Sequence, residues 1–292
     1  MKYTGTTYRP PLEANTPLLQ VTTGCAHNEC TFCTMYKDIP FTTEHMDQIK
    51  KDLNELKMRF GKLSRIFLVN GDAFVLSTRR LSAIAEAIIE VFPDMETISM
   101  YASIRNIRDK SDQDLLALKN LRINDLWVGL ETGHADTLTY LNKGYSLEEA
   151  YGQLGRLNQV DIRFNGIFML GIAGTGKGQA NARDTAALIN ETKPQLVGFT
   201  SLGVFPGSQL EVDVNKGLFT TATELEVLEE EKALLEQITV EGLPFFANHP
   251  TNAASVSGIL PMDRKAMILE IDETIAIMDQ DLLEGSYRRF SL

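Results

Sequence analysis

The stretch LLQVTTGCAHNECTFC, residues 18–33, decides how the chain is read. Its opening residues, LLQVT, form a short apolar run of the kind that makes a buried parallel strand. Similar runs recur at RIFLVN (65–70), TISMYA (97–102), DLWVGL (125–130), FNGIFML (164–170) and QLVGFTSL (195–202). Segments of helical period lie between them. One places Met46, Ile49, Leu53, Leu56 and Phe60 on a single face, with Thr42 or Thr43 as its cap and Gly61 as its stop. The next runs from about Thr78 to Phe92 and ends before Pro93.

Strand and helix thus alternate about six times, which predicts an α/β chain with a parallel sheet, helices outside it and right-handed crossovers. The expected fold class is a (β/α)6 partial TIM-type barrel over residues 1–215, with a C-terminal helical extension, 216–292, capping its mouth. In that extension TATELEVLEEEKALLEQI (221–238) reads as a long acidic helix, PFFANHPTNAASVSG (244–258) as a loop, and about 261–281 as a final helix. Barrels of this kind gather their catalytic groups at the carboxyl ends of the strands, so chemistry is expected just after each apolar run.

Composition narrows the function. The chain has 292 residues, 43% hydrophobic and 23% charged, as expected of a globular protein with a sizeable core. No run of about 18 apolar residues occurs, and the N-terminus lacks the apolar stretch of a secretory signal, so a cytoplasmic location is expected and no membrane partner. The formal net charge of −11 repels a phosphate backbone, and the short basic pairs Lys50–Lys51 and Arg79–Arg80 fall in helical stretches as solvated faces. Nucleic acid is not an expected partner.

The chain's 3 cysteines, Cys25, Cys30 and Cys33, all follow the first strand within one loop. Three cysteines cannot complete a disulfide framework, and their clustering points to metal. Thiolates are the usual ligands of iron–sulfur clusters; a cubane held by three of them keeps one iron open. An open iron can chelate the amino and carboxylate groups of a methionine moiety. The alternative is a structural zinc held by the three cysteines and His27.

On these residues the segment resembles the radical S-adenosylmethionine (SAM) superfamily. The commonest family spacing has three residues in the first gap, whereas this chain has four between Cys25 and Cys30. The resemblance implies a [4Fe–4S] cluster on Cys25, Cys30 and Cys33 and S-adenosylmethionine as the second cofactor. Phe32 holds the position of the family's aromatic residue near the adenine. NGDA at 70–73 resembles the Gly-Gly-Glu motif that receives the methionine amino group; Asn70 and Asp72 flank Gly71, with Asp72 one methylene shorter than Glu. VGLETG at 128–133 resembles the fourth-strand motif of the branch containing oxygen-independent coproporphyrinogen oxidase and the methylthiotransferases. There Glu131 would accept hydrogen bonds from ribose or the methionine amine, and Lys143 would pair with the methionine carboxylate. Ser103 and Arg105 are placed at the same mouth, while Met169 and Val204 fall where the family lines the adenine.

The implied activity is reductive cleavage of SAM and hydrogen abstraction from a small-molecule substrate, in an oxygen-sensitive oxidoreductase or lyase fed by an electron donor such as flavodoxin or ferredoxin. The absence of a second cysteine cluster disfavours sulfur insertion. Two alternatives stay open: a porphyrin- or haem-related enzyme or haem-binding protein, and a zinc- or cluster-bearing binding protein without SAM turnover. Two further segments bear on function. GIAGTGKG (171–178) satisfies most of a phosphate-binding P-loop but ends in Gly178, where a magnesium-holding Ser or Thr is required. FFANHPTN (245–252) offers Asn248, His249 and Asn252 as substrate contacts, or as a turn whose side chains satisfy their own backbone.

Overall fold

The computed structural model of the protein describes Met1 and residues 3–286. Its strands are β1 (Leu18–Gln20), β2 (Thr22–Thr23), β3 (Thr42–Thr43), β4 (Arg65–Val69), β5 (Thr97–Ala102), β6 (Ile123–Glu131), β7 (Arg163–Leu170), β8 (Leu196–Ser201), β9 (Leu243–Ala247) and β10 (Val256–Leu260). Eight of them form one sheet in the order β1-β4-β5-β6-β7-β8-β9-β10, and β2 pairs with β3 in a second, two-stranded sheet. Neighbours in the large sheet whose register is resolved pair in parallel except β9 with β10, which are antiparallel. The interleaved helices are α1 (Met46–Phe60), α2 (Thr78–Val91), α3 (Ile104–Arg108), α4 (Asp112–Asn120), α5 (Ala135–Tyr140), α6 (Leu147–Gln159), α7 (Gly178–Thr192), α8 (Gln209–Asn215), α9 (Glu224–Gln237), α10 (Arg264–Ile277) and α11 (Gln280–Glu284). This is the expected α/β alternation.

The chain divides into two compact units, one of residues 1–28, 35–129 and 152–164, the other of 29–34, 130–151 and 165–292. In the first, Ile66 to Val69 of β4 are fully buried, which is why this strand reads as an unbroken apolar run. Helix α1 buries Ile49, Leu53 and Leu56 and stops at Gly61, whose φ of 69° suits a residue without Cβ. The residue before α1 is His45; Thr42 and Thr43, expected as caps, instead form β3 against Thr22 and Thr23. Their β-branched side chains suit that pairing better than a cap three residues further on. Ser77 caps α2 by accepting from the Arg80 N–H.

The first unit also encloses an ion network. Glu13, 2% exposed, pairs with Arg65 at the start of β4 and accepts from Trp127 Nε1 at 3.1 Å, and Arg65 reaches Asp125 at 2.8 Å. Burial pushes the Glu13 carboxyl up, but bonds from Arg65, Thr16 and Trp127 outweigh it and hold the group below its ordinary value.

In the second unit Phe168 of β7 stacks on Phe199 of β8 at 5.4 Å, and Phe199 on Phe245 of β9 at 4.8 Å. Phe245 lies in the segment 244–258 expected as a loop, which contains most of β9 and most of β10. Pro244 and the two adjacent phenylalanines disguise the alternation of Leu243, Phe245 and Ala247, the buried positions of β9. Helix α9 forms where the acidic pattern placed it, with a capping box between Thr223 and Glu226. Among the described residues no helix is long and apolar enough to cross a membrane.

Candidate active site

In the first unit, residues 70–73 leave the carboxyl end of β4. Asn70 is 1% exposed, and among the described residues neither its side-chain oxygen nor its nitrogen has a hydrogen-bond partner. A buried amide left in this way costs free energy unless something satisfies it, so its two polar atoms are available to a ligand. At Gly71 an added Cβ would lie 2.3 Å from the Tyr36 ring, so only glycine allows this approach. Asp72 is 5% exposed. Burial pushes its carboxyl up to about 7, opposed by a hydrogen bond from Asn106, the charge of Arg105, the Ala26 N–H and the charge of Lys110.

Helix α3 organises these groups. Ser103 and Asn106 cap its start reciprocally, so Asn106 is fixed at the point where it meets Asp72. Arg105 turns toward the cysteine loop, where its Nη1 lies 2.5 Å from His27 Nδ1. A guanidinium can only donate, so Nδ1 of His27 acts as acceptor and that nitrogen is closed to a metal. Lys110, 4% exposed, donates to the carbonyls of Phe74 at 2.7 Å and Asn106 at 3.3 Å, and burial lowers it to about 8. Asn106 and Lys110 were not singled out from the sequence, although the Ser-x-x-Asn spacing of the cap is visible there.

The second unit holds Cys30 and Cys33. All three cysteines are partly exposed. Thr31 bonds both ways, its N–H to the Leu141 carbonyl at 3.2 Å and its carbonyl to the Leu210 N–H at 2.9 Å, while Asn142 Nδ2 donates to the Glu29 carbonyl at 3.0 Å. These bonds hold the loop against the turn that carries Lys143. Lys143 Nζ meets Glu131 Oε1 at 2.7 Å, with both side chains about nine-tenths buried. Burial alone would lower the ammonium; the charge of Glu131 and then of Cys30 and Tyr145 overcomes this and raises it above its ordinary value. Glu131, the last residue of β6, has φ 66°, a left-handed conformation that few non-glycine residues adopt. Behind it, Gly133 passes so close to α7 that a Cβ would lie 2.4 Å from the Asp184 carbonyl oxygen.

The remaining sequence candidates are more dispersed. Phe32 and Met169 are half-buried and Val204 is 6% exposed. Asn248 is exposed, and His249 Nδ1 bonds the Thr251 hydroxyl at 2.7 Å. Asn252 accepts from the Ser201 N–H at 2.7 Å and donates to the Phe199 and Ala247 carbonyls, so its amide ties the loop to β8 and β9. The glycine loop 171–178 is filled from within. Gly171 N–H donates to Glu230 Oε2 at 3.0 Å and Gly176 N–H to Glu226 Oε1 at 2.7 Å, so carboxylates of α9 occupy donors that a P-loop offers to phosphate.

Parallel strands alternating with helices define an α/β fold of the barrel class. The radical SAM superfamily matches residues 19–181, and the chain belongs to that superfamily. It is therefore a radical SAM enzyme, of a family that uses a [4Fe–4S] cluster and S-adenosylmethionine. Among solved structures it is similar to methylornithine synthase at 15% identity and TM-score 0.57, covering 88% of this chain and 68% of that one. It is similar to the methyltransferase TsrM from Kitasatospora setae, solved with cobalamin and a [4Fe–4S] cluster bound, at 14% identity and TM-score 0.55, covering 69% and 39%. Coproporphyrinogen III oxidase from Escherichia coli, a radical SAM enzyme, is similar at 17% identity and TM-score 0.55, covering 77% and 53%. At these identities the likeness is one of fold, and the chain spans 39–68% of the length of these proteins. Comparison with curated proteins returned no match.

Proposed function

We propose that this enzyme binds a [4Fe–4S] cluster through Cys25, Cys30 and Cys33 and uses S-adenosylmethionine to abstract hydrogen from a small-molecule substrate. The observation that carries this reading is the Lys143–Glu131 ion pair, buried at the end of β6, with Cys30 close enough to raise the lysine further. A family cofactor that is an α-amino acid needs both a cation for its carboxylate and acceptors for its amine, and such groups flank the cysteines here. The donor set also fits: three thiols are the ligand type and number that leave one iron of a cubane open. The unsatisfied Asn70 amide supplies a further buried donor and acceptor in the first unit.

When bound, the cluster supplies the electron that splits S-adenosylmethionine into methionine and a 5′-deoxyadenosyl radical. The chain's own residues bind and orient. Asp72, held by Asn106 and the Ala26 N–H, is the acceptor proposed for the methionine amine, with Asn70 beside it in sequence. Lys143 pairs with the carboxylate and Glu131 with amine or ribose hydroxyls. Phe32, Met169 and Val204 are proposed to exclude water around the adenine. Ser103 and Arg105 act indirectly: Ser103 fixes α3, and Arg105 holds the cysteine loop through His27. An electron donor of the flavodoxin or ferredoxin type is the proposed partner, and residues 1–215 the catalytic core.

The zinc alternative is disfavoured by the Arg105–His27 contact, because a guanidinium beside the ring competes with a metal cation. Nothing at the site points specifically to a porphyrin. Replacing Cys30 with Ala should abolish formation of 5′-deoxyadenosine by anaerobically reconstituted, dithionite-reduced protein; activity retained in that variant would overturn the assignment.

A further inference from the structure

The cap of α3 leaves the Asn106 side chain with a single free group. An asparagine amide has one oxygen that accepts and one NH₂ that donates. Here Oδ1 is taken by the Ser103 N–H at 2.8 Å, so only Nδ2 remains for Asp72, and it can only donate. Asn106 and Asp72 are both buried, at 4% and 5% exposure, so the bond is made away from water. A donor held in this way favours the carboxylate over the neutral acid, which brings a proton of its own.

Lys110 fixes the separation across which the bond is made. Its Nζ donates to the Phe74 carbonyl at 2.7 Å and the Asn106 carbonyl at 3.3 Å, tying the segment just after Asp72 to the residue that faces Asp72. The same Nζ lies 4.4 Å from the centroid of the Phe74 ring. The charges that bear on Asp72 are Arg105 on α3 and Lys110 just beyond it, and both also favour its ionised form.

The residue type at 106 departs from the chain's own practice. Elsewhere among the described residues the same reciprocal cap uses an acid: Ser111 with Asp114 on α4, Ser146 with Glu149 on α6 and Thr223 with Glu226 on α9. An acid would close the cap of α3 equally well. It would also set a second carboxyl against Asp72, with no donor between them.

We infer that Asn106 is a positioning residue for the cofactor, an obligate donor that keeps Asp72 in the accepting form that receives the methionine amine. The amine at Asp72 rests on the function proposed above; the donor–acceptor pairing does not.

The decisive variant is Asn106→Asp, which replaces the donor with an acceptor of the same shape and keeps an oxygen for the Ser103 N–H. Urea unfolding midpoints at pH 6 and pH 8, and S-adenosylmethionine binding by equilibrium dialysis, are measured on anaerobically reconstituted protein. The variant's midpoint should fall from pH 6 to pH 8 by more than the wild type's, because two adjacent carboxyls are compatible only while they share a proton. Its cofactor binding should be roughly fivefold weaker at pH 7, as follows when a group half-ionised there is moved up by about one pH unit. The double variant Asp72→Asn with Asn106→Asp exchanges donor and acceptor, so it should recover the midpoint without recovering cofactor affinity. It also decides the pairing if Asn106→Asp alone does not fold, since a swap no more stable than that variant would overturn the inference. So would a wild-type pH dependence of the midpoint in Asn106→Asp. Cofactor binding weakened by Asp72→Asn but unaltered in Asn106→Asp removes the inference alone. Binding unaltered in both, with the extra pH dependence present, removes the role proposed for Asp72 and leaves the Asn106–Asp72 pair standing.

Discussion

Lys143 and Glu131 make the sharpest residue-scale demand. Removing one member of a buried ion pair strands the other, at a cost of about 3 kcal/mol. Lys143→Met should therefore lower stability by that order in urea unfolding, and the double variant with Glu131→Gln should recover most of it. Cofactor cleavage should remain depressed by roughly a hundredfold in the double variant, about 2.7 kcal/mol in the barrier, because both charges proposed to meet the cofactor are gone. Full recovery of cleavage would show the pair to be structural. Asp72 gives a pH signature. Burial raises its carboxyl to about 7, so the charged acceptor forms as pH rises through that value. Binding of S-adenosylmethionine by equilibrium dialysis should tighten from pH 6 to pH 8, and Asp72→Asn should flatten the profile. These residues were legible because the family pattern places them after strands. Asn106, Lys110 and the His27–Arg105 contact were not, since their partners lie far away in sequence; Arg105 and His27 are 78 positions apart.

At the scale of elements, two buried acids respond to pH in opposite senses. Glu13 has its carboxyl lowered in the fold, so its contribution is present above the ordinary carboxylate value and is lost as pH falls through the depressed one. Glu230 in α9 is raised to about 7 by burial, against bonds from Asn181 and the Gly171 N–H. Its contribution is full below the unfolded value near 4.5 and is lost as pH rises through about 7. Amides of α9 should accordingly exchange faster at pH 8 than at pH 6 after correction for intrinsic rates, and Glu230→Gln should remove the difference; a pH-independent ratio in the wild type would contradict the assignment. The six parallel strands of the alternation were readable because strands buried on both faces are continuous apolar runs. Strands β9 and β10 escaped notice: Pro244 interrupts one, and the other is antiparallel, with Ser257 and Ile259 exposed. The glycine loop misled for another reason, since the carboxylates that fill it come from α9, some fifty residues on.

For the whole molecule, the fold and family follow from a repeating pattern and three cysteines, whereas the substrate does not, because strand–helix alternation fixes a scaffold and leaves substrate contacts to side chains from separate segments. Ser201 and Asn252, like Gly171 and Glu230, meet only after folding, and no spacing announces them. The central claim concerns the cysteine loop, and one measurement addresses it directly. Anaerobically reconstituted protein is reduced with dithionite and given S-adenosylmethionine, bound iron and zinc are counted, and 5′-deoxyadenosine and methionine are followed by chromatography. The account expects about four irons per chain, the content of one cubane, and both products. Zinc without iron, together with intact S-adenosylmethionine, would contradict it.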